Sequence, residues 1–340
     1  MTAPSAGQVE RFRADLLDVW PLEDRTPEHD GTHLGLAVSG GADSLALLLL
    51  AHAALPGRIV VASVDHQLRP ESADEVELVA GICADLGIPC HRLTVNLGTG
   101  NLQDRARRAR YDAMFAALAA ENIGAIATAH HADDQAETLL MRLNRGAGLQ
   151  GLAGVRPRSW YGVNDPPLEG ILVRPLLGWR RAELAQIVSG AGLAPARDPS
   201  NEDEHYDRVR IRKAIAEADW LDPLAMAHSA RHLADAEYAI RETAISVRNR
   251  FTFRQGDGSV YFHWGHPDLI EIEVVRMILK DFGAAPDRSA VARMTAQLKA
   301  GKAASLGGVL AKRAMHHKDA STSCDAWHFQ TEPPRKAGEF

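Results

Sequence analysis

An apolar run, Leu34 to Val38, stops at Ser39-Gly40-Gly41-Ala42-Asp43-Ser44, and an apolar helical stretch, Asp43 to Ala53, follows at once. Strand, glycine turn and helix in that order form one βα unit. The pattern recurs as strand then helix at Ile59 to Val64 and Ala73 to Leu86, and at Cys90 to Val95 and Leu102 to Glu121. Ala125 to Ala129 is a further strand leading into another helix. Such alternation predicts an α/β fold, a doubly wound parallel sheet with helices on both faces. Ligands of that architecture lie beyond the carboxyl ends of the strands, where loops enter helix N-termini.

The chain has 340 residues, enough for two domains. After Asp198-Pro199-Ser200-Asn201, a turn signal, the alternation ends. Leu224 to Arg250 reads as one long helix, Ser259 to Phe262 as a short strand, and Asp268 to Asp281 and Ser289 to Lys299 as helices. Gly307-Gly308 then turns between strand-like pieces ending near Phe329. The expected division is a catalytic domain over 1–220, a smaller, mostly helical α+β domain over 221–332, and an unstructured tail over 333–340.

With 46% hydrophobic and 24% charged residues, the chain has the balance of a globular protein. No apolar run approaches the roughly 20 residues that span a bilayer, and the start lacks a basic segment followed by an apolar one, so a cytoplasmic location without a membrane partner is expected. Cys83, Cys90 and Cys324 form neither a CxxC pair nor an even set, and they read as buried, inert thiols. A net charge of −6 argues against a uniformly basic coat, so any polyanion must be held by local patches.

In the turn at Ser39 to Ser44, the glycines let backbone N–H groups close on a phosphate, and the following helix aims its positive end at the same point. Ser39 and Ser44 add hydroxyl donors. Asp43 would repel bare phosphate, which suggests Mg2+ bridging its carboxylate and a pyrophosphate. The loop lacks the GxxxxGK[ST] pattern. Glycine and serine also occur at strand-to-helix turns for backbone reasons alone. Placed directly after a β-run, however, SGGADS resembles the signature of the N-type ATP pyrophosphatases, the PP-loop superfamily. The resemblance implies a Rossmann-like fold, ATP as cosubstrate, cleavage between the α and β phosphates, and adenylation.

Four more segments narrow the match: Val64-Asp65-His66-Gln67-Leu68-Arg69; Gly100-Asn101-Leu102 leading into Arg105 to Tyr111; His130-His131-Ala132-Asp133-Asp134-Gln135-Ala136-Glu137-Thr138; and Asp198 to Asn201. In order and approximate spacing they resemble the tRNA(Ile)-lysidine synthetase family, from about Leu34 to Arg212 and more weakly beyond. One departure is Val209, where the family usually carries asparagine between flanking arginines. Sulfur-inserting relatives depend on paired CxxC cysteines, which this chain lacks.

Asp133 and Glu137, spaced i and i+4, share one helix face, and their carboxylates can converge. They could hold magnesium or the ammonium of a free lysine, and one could accept the proton that an attacking amine loses. Asp134 is expected to point elsewhere and to favour the helix N-terminus. Two other readings stay open: Asp-Asp as ordinary N-terminal charges, or His-His-x-Asp-Asp with Asp65-His66 as a phosphoesterase-like metal site, against which SGGADS argues.

Asn101 caps a helix carrying Arg105, Arg107, Arg108 and Arg110, read either as phosphate contacts for RNA or as a solvated basic face. Lys312, Arg313 and Lys318 form a second candidate cluster. Tyr111 reads as packing. In the helix after the Asp198–Asn201 turn, Ile211 and Ile215 mark the expected buried stripe, with Arg208 and Arg212 along its edge. Those arginines could neutralise an α-phosphate or clamp a carboxylate, or they could pair with Asp203, Glu204 or Asp207.

What the resemblance implies is a two-step ligase. MgATP would bind at Ser39, Gly40, Gly41, Ala42, Asp43 and Ser44, with Asp65 and His66 nearby. Asp43, Asp133, Glu137 and Arg212 would be catalytic. His130, Asp133, Glu137 and Arg208 would hold free L-lysine, and Arg105, Arg107, Arg108, Arg110, Lys312 and Arg313 would hold tRNA(Ile) with a CAU anticodon. A homodimer is compatible with the sequence. The competing readings are a non-catalytic nucleotide-binding module and a PP-loop ligase acting on a small carboxylate.

Overall fold

The computed structural model describes the chain except for residues 1, 21–32, 68–70, 96–101, 120, 122, 165–166, 197–206, 318–322 and 334–340, and except for the side chains of 101–107 and 163–169. Asn101, the Asp198–Asn201 turn, Asp203, Glu204, Lys318 and the side chains of Arg105 and Arg107 therefore lie outside the described residues. Contacts divide the chain into Met1–Ala234 and Asp235–Phe340.

The first unit opens with α1 (Ala6–Val19), started by a reciprocal cap in which Ser5 Oγ accepts from Gln8 N–H and Gln8 Oε1 accepts from Ser5 N–H. The alternating segment follows as β1 (His33–Ala37), α2 (Ala42–Ala54), β2 (Ile59–Asp65), α3 (Ser72–Leu86), β3 (Cys90–Thr94), α4 (Leu102–Leu118), β4 (Ile123–Ala127) and α5 (Ala132–Asn144). A single turn α6 (Leu149–Leu152), the strands β5 (Arg158–Asn164) and β6 (Pro167–Val173), and helices α7 (Arg181–Gly190), α8 (Asp207–Glu217) and α9 (Pro223–Phe251) come next. The division between the units falls inside α9.

The sheet runs β3-β2-β1-β4-β6-β5. Its ladders are parallel except β5 with β6, which is antiparallel. Only two residues separate those strands, too few for the crossover that a parallel pair requires. Chain order runs outward from β1 to β3 and then resumes on the other side at β4. That reversal opens a crevice between the carboxyl ends of β1 and β4.

Leu45 to Leu50 on α2 are all buried, because α1 and α7 cover the helix on the side away from the sheet. A helix apolar on every side suits that place. On the opposite face Met114, Phe115 and Leu118 of α4 pack with Val60, Ala62, Ile126 and Leu172.

The second unit has an antiparallel sheet made of β7 (Thr252–Arg254), β8 (Val260–Phe262), β9 (Ala304–Leu306), β10 (Val309–His317) and β11 (Ser323–Thr331), in the order β7-β8-β11-β10-β9. Helices α10 (Asp268–Asp281) and α11 (Arg288–Lys299) complete it. Phe262, Val274, Ile278, Trp327 and Phe329 form its core. Among the described residues, no helix is long and apolar enough to cross a membrane.

Candidate active site

A cavity of about 490 Å³ opens at the carboxyl ends of β1, β2 and β4, a volume in the range of small-molecule sites. One wall is the turn after β1. Gly40 has φ +86°, a conformation side chains rarely adopt, and a Cβ there would meet the Glu75 carbonyl oxygen at 3.4 Å. The Gly40 carbonyl accepts from Ala196 N–H at 3.0 Å, tying the turn to the segment after α7. Ser44 Oγ accepts from Ser39 N–H at 3.1 Å and donates to the Gly41 carbonyl at 2.9 Å, so the hydroxyl holds the turn's shape. The N-cap of α2, Gly41, supplies no side-chain cap. The first N–H groups of α2 are thus left to a ligand, as an anion site requires.

Asp43 lines the cavity in the first turn of α2. Its Oδ1 is buried with no hydrogen-bond partner, while Oδ2 lies 3.4 Å from His131 Nε2. Among the described residues no three His, Cys, Asp or Glu side chains gather around one point. One unpartnered hard oxygen beside an anion loop nonetheless fits magnesium, which keeps waters and phosphate oxygens as most of its ligands.

The opposite wall is built from charge. His131, fully buried, is the N-cap of α5: its backbone N–H donates to Asp134 Oδ2 at 3.1 Å, and Asp134 N–H donates to His131 Nδ1 at 3.4 Å. Asp134 Oδ1 takes Arg208 Nη2 at 2.8 Å. Glu137, 1% exposed, holds Arg208 Nε at 2.6 Å on one oxygen and Arg212 Nε at 2.7 Å on the other, with Arg181 Nη2 at 3.5 Å. Asp133 accepts the Arg181 backbone N–H at 2.8 Å and the Arg180 guanidinium at 3.2 Å, which docks the start of α7 against the start of α5. Burial pushes the Asp134 carboxyl up, but His131 and Arg208 outweigh it and hold it below the usual range. Asp133 is likewise held low, against burial, by the Arg181 N–H and Arg180. Burial would lower Arg208, yet Asp134 and Glu137 raise it.

This placement corrects several expectations. Asp133 and Glu137 do not converge on open space. Asp133 faces Arg180 and Arg181, Glu137 is covered by guanidinium groups, and Asp134 is the carboxylate that lines the cavity with Arg208. Asp207 pairs with Arg145 and Arg210, not with Arg208 or Arg212. The buried position on α8 is Val209, with Ile211 and Ile215 only half-buried, so an apolar residue suits the place where the family usually has asparagine. His66 and His130 line the cavity. Asp65 does not appear on its wall; its carboxylate takes Gln67 N–H at 2.8 Å and the Ser72 hydroxyl, fixing the entry to α3, and these bonds, Ser72 first, lower its pKa.

Of the helix arginines, Arg108 is exposed, whereas Arg110 and Tyr111 face the cavity. In the second unit Lys312 is exposed, and Arg313 forms a two-pronged pair with Asp325. Cys83 is buried and Cys90 and Cys324 are partly so; all three are free. Sequence reasoning missed Arg180 and Arg181, for which the only local signal is Glu183, whose side chain accepts the Arg180 N–H at 2.8 Å at the start of α7.

A glycine turn and open helix end at a topological switch, faced by carboxylates and arginines, define a nucleotide-using enzyme of the PP-loop class. The model of the PP-loop domain matches residues 18–219. The fold resembles that of the U34-tRNA thiolase NcsA from Methanococcus maripaludis, with a TM-score of 0.51 over 66% of this chain and 78% of that one, at 14% identity.

Among curated proteins, the chain is 43% identical to the tRNA(Ile)-lysidine synthase of Novosphingobium aromaticivorans, covering 98% of this chain and 96% of that one. It is 38% identical to the tRNA(Ile)-lysidine synthase of Zymomonas mobilis, covering 89% of each. The chain belongs to the tRNA(Ile)-lysidine synthase family, within the ATP-using PP-loop proteins.

Proposed function

We propose that the chain joins free L-lysine to C2 of the wobble cytidine of CAU-anticodon tRNA(Ile) in the cytoplasm, forming lysidine through an adenylated tRNA and releasing AMP and pyrophosphate. The observation that carries this reading is the pairing of two unlike walls across one cavity. An anion turn stands on one side, and the Asp134–Arg208 pair, braced by Glu137, stands on the other.

The triphosphate lies on the N–H groups of Gly41 to Ser44, and the cytidine C2 oxygen attacks the α-phosphorus, expelling pyrophosphate. The lysine ε-amine then attacks C2, loses a proton to a carboxylate, and displaces AMP. Asp134, on the cavity wall beside Arg208, would hold the ammonium and take that proton. Arg208 and Arg212, aimed by Glu137, meet charge developing at the α-phosphate or the lysine carboxylate. Asp133 fixes α7 through Arg180 and Arg181. Asp43 would hold Mg2+, which supplies charge neutralisation for the leaving pyrophosphate.

The test is incubation of the protein with ATP, radiolabelled lysine and a panel of tRNA transcripts. Label in the CAU-anticodon transcript alone, with matching pyrophosphate, is the expected result. Pyrophosphate release without tRNA, or lysine transfer to no transcript, overturns the reading.

A further inference from the structure

The outer strand of the first sheet, β5, divides its side chains between two faces. On one face Tyr161 lies flat on Phe115, with ring centroids 4.9 Å and planes 9° apart, and its hydroxyl donates to Asp112 Oδ1 at 2.6 Å. That face is committed to α4. On the other, Trp160 is 72% exposed, and the Arg158 guanidinium lies 5.9 Å from its ring centroid. Tryptophan is on average a well-buried residue, so a ring left open beside a cation is the exception that asks for a ligand.

The strand register fixes where this pair stands. Trp160 lies opposite Ile171 and Arg158 opposite Val173. The Val173 carbonyl accepts from Thr128 N–H at 3.0 Å, and Thr128 lines the cavity. Arg158 is therefore at the carboxyl edge of the sheet, two strand spacings or about 10 Å from the cavity wall, and Trp160 stands two residues, about 7 Å, further along the strand from that edge.

We propose that Trp160, with Arg158, is a stacking platform for an unpaired base of the RNA substrate outside the cavity. The proposal rests on the reading of that substrate as tRNA. Any base offers a π-face to an exposed ring, and a neighbouring guanidinium adds charge for the attached phosphate.

The test compares W160A and W160F with the wild type in lysine incorporation, with sedimentation and thermal melting alongside. W160A is expected to raise the KM for tRNA roughly 5- to 150-fold, the range for losing one stacked base, while the KM for ATP and the melting temperature stay unchanged. W160F, which keeps a flat ring, should restore most of the loss. A tRNA KM equal to that of the active wild type overturns the platform, and so does a dimer that W160A dissolves. If the wild type itself transfers no lysine, the reading of the reaction fails separately. Filter binding of an RNA hairpin with a CAU loop then judges the platform: weaker binding by W160A supports it, and equal binding overturns it.

Discussion

The two walls of the cavity solve the problem of charge in different ways. The turn after β1 meets its ligand with backbone: apart from Asp43, Ser39 to Ser44 carry no charged side chain, and the Ser44 hydroxyl is spent on the turn's own geometry. The wall beyond His131 is made of side chains: Asp134 and Arg208 line the cavity, and behind them Asp133 and Glu137 are set against Arg180, Arg181 and Arg212. A backbone site is specified by a short contiguous sequence. A network of ion pairs is specified by residues dispersed from 131 to 212, and its buried charges are stable only as a set.

The largest effect should come from Glu137→Gln. Removing the charge of this buried carboxylate takes its partner from Arg212, while Arg208 and Arg181 keep Asp134, and because the guanidinium groups are partly solvated the loss in stability is about 1–3 kcal/mol. A denaturant titration reads that loss, and the remaining folded protein should lose lysine transfer more than adenylation. Unchanged stability would mean that the two walls do not differ as argued.

Asp43→Ala makes the converse case. Its Oδ1 bonds to nothing in the protein and its Oδ2 has only the 3.4 Å contact with His131, so melting should change little. Pyrophosphate release should fall about 10²- to 10³-fold, as for removal of one preorganised electrostatic group. A soluble variant with near-normal release would remove Asp43 from the nucleotide site. Between these lies Gly40→Ala, expected to cost about 1–2 kcal/mol for a side chain at positive φ, with a raised KM for ATP as its functional sign.

The same contrast explains what could be read from the chain alone. The strand and helix alternation, the SGGADS turn and the helices of the second unit are local patterns, and they stand where periodicity places them. The β5–β6 pair was missed because its antiparallel edge interrupts a parallel scheme, and α1 because it precedes the first strand. The carboxylates were legible as a motif but not as a geometry. On a helix both Asp133 and Asp134 are neighbours of Glu137, at i+4 and i+3 respectively, and only the distant arginines decide which of them turns to the cavity. Arg180 and Arg181 belong to no pattern that the sequence repeats.

A smaller effect is expected with pH. Asp133 and Asp134 are held below their ordinary value of 3.8, so the stability they contribute is present above it and is lost as pH falls through their lower folded values. Asp134→Asn should flatten the acid limb of the stability curve there, as measured by chemical denaturation across the acid range. An unaltered limb would assign acid sensitivity to other carboxylates.

The smallest effect concerns arginines outside the cavity, and it extends the contrast between a cation that already has a carboxylate partner and one that does not depend on it. Arg313 is gripped by both oxygens of Asp325, and its guanidinium also lies 5.2 Å from the Trp264 ring centroid, so its charge serves the second unit. Arg108 is exposed on the arginine-bearing helix, where the Tyr161 hydroxyl, whose proton goes to Asp112, lies 3.2 Å from its carbonyl oxygen and not at its guanidinium. Each phosphate contact that is lost lowers the salt slope of log affinity by about 0.7 to 0.9. Arg108→Ala should lower the slope of tRNA binding by about that much and leave the affinity for ATP unchanged, whereas Arg313→Ala should leave the slope where it is. Filter-binding titrations over a range of salt read both. A slope that moves with Arg313 and not with Arg108 would show that pairing to Asp325 does not withhold the guanidinium from RNA, and the α4 surface would then be a solvated face.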